Sequence, residues 1–128
     1  MMVRWHPPDG AMSAVAKTPE PQKSELLRGT LDMLVLKTLT VRPLHGYAIA
    51  QHIERLSDDV LTVEQGSLYP ALERLQKKGW ITSKWAESPT GRRARYYTIT
   101  LAGRKQLGEE ISSFDRVLAA ISRVMREA

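Results

Sequence analysis

The period with which apolar residues recur changes twice along this chain, and each change marks a different kind of element. In "SELLRGTLDMLVLKTL" the residues Leu27, Leu31, Leu34, Val35 and Leu39 return at steps of one, three and four, which places them on one face of a helix. Ser24 offers an N-cap, and Pro43 stops whatever reaches Val41. A second helix follows in "LHGYAIAQHIERLS", where Tyr47, Ile49, Ala50, Ile53 and Leu56 are spaced for a buried stripe. The stretch "DDVLTVEQGSLYPALERLQKKG" contains a third, with Leu68, Leu72 and Leu75 inward and Gly79 as its C-terminal stop. A start near Glu64 or Gln65 puts Pro70 just past the first turn, where a single backbone bond is lost.

After Gly79 the period drops to two. "WITSKWAE" and "RARYYTIT" are rich in Trp, Ile, Thr and Tyr, and Ser88-Pro89-Thr90-Gly91 joins them as a hairpin. Parity puts Ile81, Ser83 and Trp85 on one face, Tyr97 and Ile99 together, and Tyr96 opposite Tyr97. A lone hairpin is marginal in water, so this one must lean on the helices. The fold class is mostly α with a β-hairpin wing, a winged helix-turn-helix followed by a long C-terminal helix.

In "LAGRKQLGEEISSFDRVLAAISRVMREA" the helical period returns, with Thr100 as N-cap candidate. Leu107, Ile111, Phe114, Leu118, Ile121 and Met125 recur at spacings of 4, 3, 4, 3 and 4, a heptad seam. A helix from Leu101 to Arg126 runs about 39 Å, more than so small a domain covers. Part of the seam can pack back on the first helix, but six apolar positions exceed what one short helix shields. A homodimer through this helix is therefore expected. The domain organisation reads as an arm over 1–22, a winged helix-turn-helix over 23–100 and a dimerisation helix over 101–128. The arm carries Pro7, Pro8, Pro19 and Pro21, lacks the apolar stretch of a signal peptide, and offers Met12 as an alternative start.

Composition narrows the chemistry. At 128 residues the chain suits one domain. It has no cysteine, which excludes disulfides, thiolate metal sites and a Cys nucleophile and fits a cytoplasmic protein. No apolar run approaches the ~20 residues of a membrane span. Net charge is +5, but Lys77 to Lys105 alone hold eight basic residues against Glu87, an excess of +7, so the remainder is slightly acidic. His6, His45 and His52 are scattered without ligand spacing, and Asp58-Asp59 and Glu109-Glu110 read as solvated or helix-end pairs. Gly91-Arg92-Arg93 lacks the spacing of a phosphate loop. No catalytic, metal or cofactor site is expected.

Concentrated charge beside a winged helix points to double-stranded DNA, with the third helix in the major groove and the hairpin on the flanking backbone. On that helix Gln65 can pair bidentately with an adenine edge, Ser67 and Tyr69 can donate to bases or phosphates, and Arg74 joins the set. The wing and its flanks supply Lys77, Lys78, Lys84, Arg92, Arg93 and Arg95. Blander readings exist: Tyr69 as a packed residue with its hydroxyl at the surface, and the arginines as a solvated hairpin tip that discourages edge aggregation. Glu64 and Glu73 argue for short-range, selective contact. The rival function is a winged helix that docks an acidic protein without specific DNA binding.

Four ordered blocks, "LLRGTLDMLVLKTL", "PLHGYAIAQHI", "GSLYPALERLQKKGWI" and "GRRARYYTITLAGRKQL", resemble the PadR family of bacterial transcriptional regulators, more narrowly its short acidobacterial-type form. The resemblance runs from about Leu26 to Met125. It implies a homodimeric, sequence-specific repressor that leaves its operator on a signal, often a small molecule. It also implies that the Leu68-Tyr69 region lies on the recognition helix and that the C-terminal helix makes the dimer. Some members hold flat aromatic ligands with a Trp on that helix. Here Phe114 is its only aromatic residue, with Trp5, Trp80 and Trp85 elsewhere, so such a pocket is not expected and the effector stays open.

Overall fold

A computed structural model of the chain describes residues 19–127. Helix α1 spans Pro19–Thr38, strand β1 Leu44–His45, helix α2 Gly46–Leu56 and helix α3 Gln65–Lys77. Strands β2, Ile81–Glu87, and β3, Arg93–Ile99, precede helix α4, Leu101–Arg126. The strands form one antiparallel sheet in the order β1-β3-β2. Of the proposed arm, residues 1–18 lie outside the described residues. Its last four belong to α1, so Ser24 sits within the helix rather than at its cap.

The core gathers one face of each helix over the sheet: Leu31, Val35 and Leu36 from α1 with Leu39 just beyond its end, Ile49 and Ile53 from α2, Leu68, Ala71, Leu72 and Leu75 from α3. Ile81, Tyr97, Ile99 and Leu107 close it. Full burial of each large aliphatic is worth about 1.5–3 kcal/mol, so these stripes decide which helix faces turn outward. Two positions of the α2 stripe are not in it: Tyr47 and Leu56 are exposed. The Tyr47 hydroxyl accepts from Gln51 Nε2 at 3.2 Å, and Leu56 is the last residue of its helix.

Ends are set by local chemistry. His45 Nδ1 accepts from the Ala48 amide at 3.2 Å and caps α2. α3 stops in a Schellman motif: Gly79 has φ 78°, its amide donates to Gln76 O and that of Trp80 to Leu75 O. Thr100 Oγ1 accepts from the Gly103 amide at 3.0 Å, capping α4, and donates to Gly79 O at 2.8 Å. Gly103 is required there. A Cβ would run into the Trp80 carbonyl oxygen and meet Ile99 Cγ1 at 2.8 Å. Gly103→Ala should therefore cost about 1–3 kcal/mol, seen as a loss of roughly 5–15 °C in Tm at matched protein concentration.

Candidate nucleic-acid interface

Three restraints aim α3. Asp58 and Asp59 turn the chain at φ 52° and 62°, a left-handed conformation that aspartate tolerates better than most residues. Glu54 Oε2 then accepts from the Val63 amide at 2.8 Å, anchoring the loop that enters the helix. Across the back, Arg74 Nη2 pairs with Asp32 Oδ1 on α1 at 2.8 Å. With Leu68, Ala71, Leu72 and Leu75 buried, the helix presents Gln65, Tyr69 and Glu73 to solvent, with Ser67 and Gln76 half-buried. No side chain caps its N-terminus at Glu64. Pro70 is the sixth residue of α3, past the first turn as anticipated. Tyr69 lies against Gly46 at the start of α2, where a Cβ would come within 2.7 Å of its hydroxyl.

The wing is a seven-residue pair in strict register. Its turn is closed by the Ser88 amide donating to Arg92 O at 2.7 Å and by Gly91, at φ 88°, donating to Ser88 O. Cross-strand partners share a face, so Ile81, Ile99, Ser83, Tyr97, Trp85, Arg95, Glu87 and Arg93 lie on one side. Near the body that side is buried; further out it projects past the body and carries Trp85, Arg95 and Arg93. The other side holds Lys84 opposite Tyr96, whose ring meets His45 edge-on at 5.4 Å. The separation of Tyr96 and Tyr97 by parity is as expected.

Tyr69, Glu73, Gln76 and Lys77 of α3 face Arg95 and Tyr97 of β3 across an open groove. Its floor is stitched: Arg95 Nε donates to Ser83 Oγ at 2.9 Å, and the Ser83 hydroxyl donates to Gln76 Oε1 at 3.2 Å. Burial pushes the Tyr97 hydroxyl above its ordinary pKa, with the Arg95 guanidinium pulling the other way. Tyr97 thus stays protonated and uncharged at neutral pH.

The structure sorts the sequence candidates. Gln65, Tyr69 and Lys77 are exposed on α3, and Arg92, Arg93 and Arg95 are exposed at the wing's end. Ser67 is half-buried and, seven residues before Arg74, lies on the same flank of the helix as Arg74. Arg74 does not join them, because the guanidinium is committed to Asp32 behind the helix. Lys84 is on the opposite side of the wing from Arg93 and Arg95. Lys78 lays its ammonium over the Trp80 ring at 4.8 Å. On α4, Leu107 is 6% exposed and belongs to the chain's own core, so it is not free for a partner. Ile111, Phe114, Leu118, Ile121 and Met125 remain uncovered, from 36% at Leu118 to 75% at Met125. Val117 and Val124, which the seam omitted, are uncovered beside them. The same heptad rule, shifted by one residue, would have found them.

An open polar face on a third helix, beside a cationic two-stranded wing and ahead of a long terminal helix, defines a winged-helix DNA-binding regulator. The chain belongs to the PadR-like family of transcriptional regulators, whose model matches residues 35–109. A PadR family transcriptional regulator from Eggerthella lenta is 28% identical, covers 91% of this chain and 99% of its own, and superposes with a TM-score of 0.71. A transcriptional regulator from Clostridium thermocellum is also 28% identical over 77% of this chain and 96% of its own, with a TM-score of 0.71. Protein X of Lysinibacillus sphaericus is 28% identical over 80% of this chain and 94% of its own length. No helix among the described residues is long and apolar enough to cross a membrane.

Proposed function

We propose that the chain is a homodimeric, sequence-specific repressor that holds an operator between two recognition helices and two wings, and lets go on a signal, a small-molecule effector being one such signal. The carrying observation is the groove between α3 and β3, where polar side chains of a helix face Arg95 of a wing. Gln65 reads an adenine edge, Ser67 and Tyr69 donate to bases or phosphates, and Lys77, Lys78, Arg92, Arg93 and Arg95 neutralise phosphates. The outer face of α4, from Ile111 to Met125, pairs with its symmetry mate. A two-fold dimer of this kind implies a palindromic operator with half-sites about 10 bp or a multiple apart.

The test is a mobility shift on the region upstream of the protein's own gene, with a salt titration. Specific binding that weakens steeply with salt is expected. No binding near about 100 mM salt, or binding indifferent to salt, would overturn the reading. Adding candidate effectors to the preformed complex then asks whether affinity falls.

A further inference from the structure

Trp85 stands where a merely structural tryptophan has no reason to be. It is 57% exposed, although β2 and β3 bury Ile81, Tyr97 and Ile99 on the same face. Its register partner is Arg95, and the Arg93 guanidinium lies over its ring, 5.8 Å from the centroid. Ser83, the previous residue on that face, holds Arg95 from below. The wing's outer half therefore presents, on the side that also faces α3, one aromatic plane flanked by two cations, each restrained by a neighbour, with the single carboxylate of Glu87 opposite Arg93 at the hairpin's end.

We infer that Trp85 is a DNA-contacting residue: its indole packs against the deoxyribose wall of the minor groove and serves as the platform that orients Arg93 into that groove. The inference deepens the operator-binding reading and rests on it. Charge selects the partner, because two guanidiniums beside an apolar plane fit a narrow, electronegative groove walled by sugars. A guanidinium stacked on a ring loses less rotamer freedom on binding than a free one. The indole itself makes no ionic contact, which separates its signature from that of the arginines. Removing Trp85 should weaken affinity and A·T preference at wing positions while leaving the salt slope in place. Removing Arg93 should lower the slope as well.

Three measurements on the full chain test this. In a protein carrying Trp5→Phe and Trp80→Phe, Trp85 is the sole tryptophan, and with selective tryptophan excitation its accessibility to acrylamide should fall at least about twofold when a specific duplex binds, as expected for an aromatic buried against DNA. A minor-groove-binding polyamide should restore it. Trp85→Ala should raise Kd about tenfold with an unchanged salt slope, and Trp85→Phe should stay within about threefold of the parent. A melting curve like the parent's keeps a folding defect out of the comparison. If the duplex binds and Trp85 stays as open to acrylamide as before, the inference is wrong and operator binding stands. Protection without DNA that grows with protein concentration would place Trp85 in a protein contact and overturn it too. If no duplex binds at all, both readings fall.

Discussion

Leu118→Glu is expected to turn the protein into a monomer that binds its operator at least about a hundredfold more weakly, since avidity disappears with the second half-site. Leu118 lies mid-seam and contributes nothing to the chain's own core, so the fold should survive. At a two-fold interface one substitution places two carboxylates face to face. Desolvating an unpaired ion costs several kcal/mol even after relaxation, which outweighs the gain from the apolar packing that Leu118 would have made. Sedimentation velocity should show the monomer mass with helicity unchanged by circular dichroism. A variant that remains dimeric would show that the outer face of α4 is not where copies meet.

The second large effect is electrostatic. Replacing Arg92, Arg93 and Arg95 together with Ala should weaken operator binding on the order of a thousandfold and lower the salt slope by about one for each phosphate left without its cation, taken over both wings. Lys84→Ala is the matched contrast. It removes one cation from the same hairpin, but from the side that carries Tyr96 and faces away from α3. Its slope should match the parent's; a drop as large per residue as that of the arginines would show that the wing meets DNA through its other side.

Much of this architecture was readable because it is periodic. Stripes at steps of three and four placed the four helices among the described residues, and alternation placed the hairpin and divided Tyr96 from Tyr97. Cap chemistry fixed two ends, since Gly79 and Thr100 do what their residue types favour. What escaped was short or non-local. Strand β1 is two residues long, too brief to have a period, and exists only because β3 offers it partners. Arg74 meets Asp32, a partner 42 positions away that no local pattern announces. The heptad at Leu107 looks like the heptad at Leu118, yet the first is inside the domain and the second outside; where shielding stops depends on how α1 packs. Trp85 was given its face correctly by parity, but parity says nothing of how far a strand overruns the body beneath it.

The passage from β3 into α4 has a mechanical consequence. Strand ends at Ile99 and helix starts at Leu101; Thr100 between them and Gly103 in the helix's first turn lock the joint to the backbone of Gly79 and Trp80. So stiff an elbow leaves no slack. In a helix about 39 Å long, displacing the far tip by roughly 3 Å tilts the base by about 4°, and the flap bearing Arg93 and Arg95 must swivel with it. Were two copies to pair through α4 as proposed, anything wedged between the two levers would steer the distance between the flaps without touching either.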